Sequence, residues 1–338
     1  MRASAAARGH LDDHDGELRS EGTAVDPSVP VGEAAFAVMR RNFEAFVARE
    51  RGTRLGEDPE ELHDMRVASR RMRGAMVFFR EALPVRALRL RDELEWVAGA
   101  LGAVRDLDVQ LEQLESWSNW DAGVNRTSLA ALRDLFDVER ADARGELLKA
   151  LDSPRYARLL DGTRRLLDGS PLRRPLASRA PIAVAGASLL GRRYRAMRRA
   201  GDRIGEESAA EDYHRLRIRC KRLRYALEFL ADVYPDGTGP LIRRLVALQT
   251  LLGMQQDADV AVRRLAALAT REGGRLPPPT VFAMGMVAER YADQGRDLRA
   301  RFPKVYGKVR GRPWKELQLV MKEAASAHAS APASTKER

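Results

Sequence analysis

Two segments of the chain, 151 residues apart, carry the same row of potentially cationic side chains. In each row a histidine is followed after three, seven and ten residues by arginine or lysine: the first cation row is His63, Arg66, Arg70 and Arg73, and the second is His214, Arg217, Lys221 and Arg224. Arginine presents a planar fork of donors that fits phosphate, and lysine supplies a point charge. Histidine gains charge as pH falls towards its unperturbed pKa of ~6.5. The chemistry available to these rows is therefore anion binding.

The spacing within each row is typical of an α-helix, because residues three or four positions apart are neighbours on a helix surface. At roughly 100° per residue, the four positions form a stripe about 80° wide. In the second segment a separate arc of apolar residues can face a core: Leu216, Cys220, Leu223, Leu227 and Leu230. Like charges at these spacings repel one another. We expect an extended anion, with phosphate oxygens spaced along the stripe, to offset that repulsion.

The repeat extends well beyond the two rows. Residues from about 33 to 114 map without a gap onto positions 151 residues later, including Phe78 onto Phe229 and Asp106 onto Asp257. Solenoid repeats span only ~20–50 residues, so this period indicates two copies of a larger unit. For a single helix, a solvated arginine-rich face would be the simpler explanation. A duplicated fold must repeat its core but has no need to repeat a surface charge pattern, so the recurrence favours a binding function.

The composition indicates an anionic partner. The chain has 338 residues, a formal net charge of +11 and a hydrophobic content of 44%, which suffices for a globular core. Such a charge points to nucleic acid, an anionic membrane or another polyanion as a partner, and it says little about fold. The single cysteine, Cys220, excludes an intrachain disulfide and a thiolate metal cluster. No segment resembles a secretory signal or approaches the ~20 apolar residues of a membrane span, which predicts a cytoplasmic protein.

The hydrophobic periodicity predicts an all-α fold, because apolar residues recur at helical spacing and strand-like alternation is absent. The predicted helices span about 33–50, 60–82, 87–115, 127–150 and 155–168, then 181–203, 211–233, 239–266 and 280–300, with a short helix near 313–324. Asp58 followed by Pro59 predicts the start of the helix with the first cation row. Pro84 and Pro235 are expected to end the two row-bearing helices.

The domain boundaries follow from composition. We expect a disordered N-terminal tail over 1–30, one folded domain over 31–322 and a flexible C-terminal tail over 323–338. Within the folded domain, the proline-containing segment 169–181 is the predicted linker, which leaves a first half of about 31–168 and a second half of about 182–322.

Two acidic groupings could suggest metal chemistry. His63 and Asp64 resemble the His-Asp pair of metal-dependent phosphohydrolases, but Arg215 follows the second histidine, and a single such pair is a poor metal site. Asp106 and Asp108 are repeated later in the chain, yet side chains two positions apart point in nearly opposite directions on a helix. We expect one acid of each pair to bind an arginine of a cation row and the other to face solvent. No metal site is predicted.

The pattern H-x-x-R-[VI]-x-x-[RK]-R-x-R occurs twice, followed each time by Leu-Gly and then Asp-x-Asp, and it resembles that of the CHAD family (conserved histidine α-helical domain). The resemblance covers residues from about 30 to 310. It implies two four-helix bundles related by a pseudo-two-fold axis, with a central basic cavity or channel. It also implies a protein that binds inorganic polyphosphate, needs no cofactor and is not an enzyme.

The resemblance also implies which residues bind. Carried over position by position, the polyphosphate site consists of the two cation rows: His63, Arg66, Arg70 and Arg73 with His214, Arg217, Lys221 and Arg224. Weaker additions are Arg41, Arg192, Arg155 and Lys304. Because lysine stands at 221 where the first copy has arginine, the two halves are expected to bind unequally. Sulfate or phosphate ions can occupy the same site, and the implied location is the polyphosphate granule, with polyphosphate-metabolising enzymes as partners.

Two alternatives remain open at this point. One is a basic helical module that binds nucleic acid, although an aromatic content of 6% offers few rings for base stacking. The other is a phosphohydrolase that acts on polyphosphate or organic phosphates. We expect no membrane partner.

Overall fold

The computed structural model describes residues 24–118, 124–168, 179–205 and 207–329, and these form an all-α fold, as predicted. The helices of the first half are α1 (Val31–Ala48), α2 (Glu50–Leu55), α3 (Pro59–Phe78), α4 (Val85–Trp117), α5 (Arg126–Leu151) and α6 (Pro154–Asp168). Those of the second half are α7 (Ile182–Gly201), α8 (Ala210–Phe229), α9 (Pro235–Glu272), α10 (Pro278–Gly307) and α11 (Arg312–Ala329). In these ranges no helix is apolar enough over a sufficient length to cross a membrane.

The ends of the row-bearing helices follow local signals. α3 begins at Pro59, and the Asp58 side chain accepts a hydrogen bond from the Glu60 N–H at 2.9 Å, which satisfies one of the free donors of the first turn. The expectation for the prolines was wrong. α3 and α8 end several residues before Pro84 and Pro235, and these prolines instead precede or begin the next helices. Proline suits that position because the first turn does not need its missing N–H.

The two halves of the chain share their core. α3 packs on α1 and α4, α8 packs on α7 and α9, and contacts between the halves join α3 to α8, α5 to α10 and α1 to α7. The buried apolar residues form two clusters, and each contains residues of both halves. In the smaller cluster the indole N–H of Trp117 in α4 donates to the Tyr291 hydroxyl in α10 at 3.0 Å. The pseudo-two-fold pair of four-helix bundles stays a prediction.

The helices α3 and α8 meet near their C-terminal ends. The rings of Phe78 and Phe229, which occupy equivalent positions of the repeat, lie 6.2 Å apart between centroids. One turn earlier, Gly74 faces Tyr225 so closely that a Cβ there would stand 3.4 Å from the ring. The N-terminal turns of α3 and α8 instead lie beside α4 and α9, where Arg66 and His214 find their partners. The C-terminal parts of α3 and α8 are therefore close enough for cations of both rows to share one surface.

The described parts of the two segments expected to be tails pack on the folded domain or continue its last helix. Residues 24–30, expected in the N-terminal tail, pack on the fold: Val25 is buried, and the Val31 N–H donates to the Ala180 carbonyl. Residues 323–329, expected in the C-terminal tail, continue α11, which is anchored by the stacking of Trp314 on Tyr194 at 4.1 Å. Alanine-rich sequence favours this extension of the helix. Most of the predicted linker, 169–178, lies outside the described residues.

The packing of α7 on α10 depends on a glycine. A Cβ on Gly201 would stand 2.3 Å from Cε2 of Tyr306, whose hydroxyl is fixed by a 2.7 Å hydrogen bond to Asp202. We expect Gly201→Ala to lower the free energy of unfolding by about 1–3 kcal/mol through overpacking. Chemical denaturation measures this loss. Gly205→Ala is the matched control, because nothing lies within 4 Å of that position, and equal stability of the two variants would contradict the prediction.

Candidate anion-binding site

A cleft of about 500 Å³ lies where α3 and α8 approach each other. Six cationic side chains line it, and among the described lining residues they face one carboxylate: the cations are Arg70, Arg73, Arg91, Arg193, Lys221 and Arg222, and the carboxylate is that of Glu95. We call this the α3–α8 cleft. Its apolar surface comes from Val77, Phe78, Ile218 and Tyr225. Cations of one sign on a concave, partly apolar wall concentrate the electrostatic field, so the cleft attracts anions.

The cations of the cleft stand close enough to affect one another. Burial lowers the pKa of Arg193, and the neighbouring guanidinium groups of Arg222 and Arg192 lower it further. The Arg193 guanidinium remains charged, since arginine titrates far above neutral pH, and it donates to the Val77 carbonyl at 2.9 Å. An anion bound in the cleft would relieve this repulsion between cations.

The carboxylate of the cleft pairs with one cation but stays largely exposed to solvent. Glu95 accepts from Arg73 at 2.5 Å, but its side chain is 62% exposed. Exposed ion pairs contribute little free energy because water and salt screen them. Glu95 therefore offsets only part of the positive charge, and an incoming anion competes with it for Arg73.

A second carboxylate, Glu228, joins α3 to α8 beside the cleft. It lies 2.9 Å from Arg71 Nη2 and 3.6 Å from Arg224 Nε. Both guanidinium groups also lie over the ring of Tyr225, at 5.7 and 5.4 Å from its centroid. Arg224 is only 2% exposed, so this member of the second row lies in the helix interface and outside the lining of the cleft. In the repeat Glu228 corresponds to Val77, and the first half lacks such a carboxylate.

The N-terminal members of the rows lie away from the cleft lining. His63 is 4% exposed, whereas His214 is exposed and its Nδ1 lies 3.1 Å from Gln256 Oε1. Arg66 Nη2 lies 3.8 Å from Asp106. Arg217 is half-buried, and its Nε has no hydrogen-bond partner among the described residues. Residues that the sequence repeat makes equivalent thus occupy different environments in the two halves.

The weaker additions are distributed over the surface, and none lines the cleft. Arg41 lies 3.6 Å from Asp232, and Arg192 lies 3.4 Å from Glu81. Arg155 pairs with Glu93 at 2.6 Å and stands 4.2 Å above the ring of Trp96. Lys304 is exposed on α10.

The acidic groupings form structural contacts. Asp106 is 64% exposed yet faces Arg66 of the first row, while Asp108 is 6% exposed and pairs with Arg140 of α5 at 2.5 Å. The expectation that the second acid faces solvent was therefore wrong for this pair, because Asp108 points into the contact between α4 and α5. Asp64 lies 3.1 Å from Arg49, and burial raises the pKa of its carboxyl. In the ranges the structure covers, no three His, Cys, Asp or Glu side chains converge as metal ligands.

Three of the cations that line the cleft were not among the site residues predicted from the sequence. Arg222 is repeated as Arg71, and that recurrence could have identified it. Arg193 corresponds to Asn42 and Arg91 to Ile242, so the repeat gives no signal for either. They reach the cleft because α7 and α4 pack against the row-bearing helices.

Comparison with known proteins supports one family. A family model of the CHAD domain matches residues 37–266. The structure is similar to the crystal structure of the CHAD domain from the plant Ricinus communis, with 30% sequence identity, a TM-score of 0.71 and coverage of 86% of this chain and 96% of that one. It shares its fold with PptA from Streptomyces chartreusis, at 21% identity and a TM-score of 0.66, with 82% of this chain and 99% of that one covered. The search of curated proteins found no match.

Replacing Glu228 by glutamine tests the contact between α3 and α8. The substitution removes the negative charge that lies between Arg71 and the buried Arg224, and breaking a buried pair from one side typically costs about 3–5 kcal/mol. We expect Glu228→Gln to lower the free energy of unfolding by about 3 kcal/mol, measured by urea denaturation. Glu95→Gln removes the exposed carboxylate of the cleft and should change stability by less than about 1 kcal/mol. Similar losses in both variants would contradict this assignment.

Proposed function

Because this chain belongs to the CHAD family, we propose that it binds inorganic polyphosphate and that the α3–α8 cleft receives part of the phosphate chain. One observation carries the proposal. Six cations from four helices face a single described carboxylate in a concave cleft between the two row-bearing helices. A linear polyanion with a charge on every unit can contact several of these cations at once, whereas a small monovalent anion cannot.

Recognition in the proposed complex depends on charge and hydrogen bonds. Arginine side chains donate in pairs to phosphate oxygens, and Lys221 contributes a point charge. The cations are already held near one another by the crossing of α3 and α8, so little side-chain ordering is required on binding. Much of the affinity should come from counterions released by the polyanion, which makes binding strongly dependent on salt.

The proposed role is binding without catalysis, and no cofactor is invoked. The roles we propose for such a polyphosphate binder are recruitment to polyphosphate granules in the cytoplasm and association with polyphosphate-metabolising enzymes. The groups that a phosphohydrolase would use are engaged elsewhere, since His63 is buried and Asp64 pairs with Arg49. Magnesium-dependent release of orthophosphate from polyphosphate by the purified protein would contradict a purely binding role.

A nucleic-acid ligand fits the cleft less well. The aromatic residues that line it, Phe78 and Tyr225, are buried and present little ring surface on which a base could stack. A duplex could still use the positive charge alone. We expect excess duplex DNA to leave bound long-chain polyphosphate in place at physiological salt, whereas displacement would favour the nucleic-acid alternative.

Removing two cations from the cleft tests the proposed site. We expect Arg70→Ala combined with Lys221→Ala to weaken long-chain polyphosphate binding about 100-fold at fixed salt, because each lost phosphate contact should cost about 1.4 kcal/mol. Isothermal titration calorimetry measures the affinity. The control Arg263→Ala with Arg290→Ala removes the same charge from exposed positions on α9 and α10. If the two double variants bound long-chain polyphosphate with equal affinity, the cleft would not be the binding site.

Neutralising Glu95 should act in the opposite direction. Glu95→Gln frees Arg73 from its competing carboxylate, so we expect polyphosphate to bind about 3–10-fold more tightly, equivalent to about 0.7–1.4 kcal/mol. The matched control is Glu93→Gln, which also removes one negative charge from α4. Glu93 pairs with Arg155 and does not line the cleft. A gain of the same size in the control would show that only net charge matters.

A further inference from the structure

A second basic concavity lies between α7 and α8, and it contains none of the residues assigned above. It measures about 380 Å³ and is lined by four arginines and, among the described residues, one carboxylate: Arg199, Arg203, Arg215, Arg219 and Asp212. We call it the α7–α8 groove. Ala196 and Ala200 form its floor on α7, and their small side chains leave room above them.

Most of the arginines in the groove have no side-chain partner among the residues that the structure describes. Arg215 pairs with Asp212 one turn away in α8. Arg199, Arg203 and Arg219 are exposed and make no side-chain hydrogen bond or ion pair with any residue that the structure describes. The one carboxylate among the described lining residues, Asp212, pairs with Arg215, so the other three guanidinium groups form a surface suited to an anion.

The groove and the α3–α8 cleft both have lining residues on α7 and α8. On α7, Arg193 lines the cleft and Arg199 follows six residues later, while Arg203 lies just after the helix ends at Gly201. On α8, Arg222 lines the cleft, and Arg219 and Arg215 precede it by three and seven residues. At about 1.5 Å per residue, the six helical residues from Arg193 to Arg199 span about 9 Å. The spacing on α8 keeps its three arginines on one side of the helix, so along α8 cations continue from the cleft into the groove.

The internal repeat separates this feature from the common fold. The positions in the first half that correspond to Arg199, Arg203, Arg215 and Arg219 are occupied by Ala48, Gly52, Asp64 and Ala68. The fold thus forms the equivalent helix pair in the first half without cations at these positions. The packing of α7 on α8 therefore does not require the arginines of the groove. These arginines give the second half positive charge at positions where the first half has none.

We propose that the α7–α8 groove is a second anion subsite that binds the stretch of linear polyphosphate leaving the α3–α8 cleft on the α7 side. The inference rests on the function proposed above and extends it. A short phosphate chain occupies the cleft alone, while a long chain occupies the cleft and the groove together. The two subsites then act as linked sites, so affinity rises with chain length until the groove is filled.

The test compares two probes on the full chain. The groove variant combines Arg199→Ala, Arg203→Ala and Arg219→Ala, and its charge-matched control combines Arg263→Ala, Arg275→Ala and Arg290→Ala, all at exposed positions. Calorimetry with long-chain polyphosphate should show at least about 10-fold weaker binding by the groove variant than by its control, corresponding to about 1.4 kcal/mol. The slope of log affinity against log salt should fall by about 2, from three contacts at ~0.7 each. Tripolyphosphate should bind both variants equally.

The outcomes separate this inference from the proposed function. Equal binding of long-chain polyphosphate by the groove variant and its control would overturn the inference and leave the cleft as the site. Equal weakening of tripolyphosphate and long-chain binding in the groove variant would also overturn it, because the groove would then act on the cleft and not as a separate subsite. If the unmodified protein binds neither probe, the proposed function itself fails. Single-stranded DNA is titrated as an additional probe, and loss of its binding alone in the groove variant would assign the groove to nucleic acid and overturn the inference.

Discussion

The site depends on one electrostatic constraint: two arginine-rich helices cross although their charges repel. The crossing of α3 and α8 is possible because apolar contacts and one carboxylate act against the repulsion. Phe78 packs on Phe229, and Glu228 lies between Arg71 and the buried Arg224. Beside this interface six cations line the cleft, and the described lining residues include one carboxylate, that of the exposed Glu95. One internal carboxylate thus joins the two helices, and the adjacent cleft stays positively charged.

This arrangement gives the members of each cation row different roles. In the second row, Arg224 is part of the helix interface, while Lys221 lines the cleft. In the first row, Arg66 faces Asp106, while Arg70 and Arg73 line the cleft. A ligand that spans the cleft would also reach cations from α4 and α7, which belong to neither row. The surface of the cleft is therefore assembled by tertiary packing, and the rows supply about half of its cations.

The sequence predicted much of the fold, because helix formation depends on local signals. The ten predicted helices all exist, and the start of α3 at Pro59 followed from its cap. The short α2 was not predicted, since six residues carry too little periodicity to stand out. For the site, the repeat located α3 and α8 but could not show that they cross near their C-terminal ends. Because of that crossing, Arg70 and Lys221 line one cleft, whereas His63 and His214 do not. The packing of α7 beside the crossing adds Arg193 to the same lining.

The most direct measurement is a crystal structure of the protein with tripolyphosphate. Binding in the α3–α8 cleft predicts phosphate oxygens within hydrogen-bonding distance, about 2.7–3.2 Å, of Arg70, Arg73 and Lys221. Glu95 should then lie farther from Arg73 than in the free protein. A ligand bound on another surface, with Arg73 still paired to Glu95 and the cleft occupied by water, would contradict the assignment of the cleft.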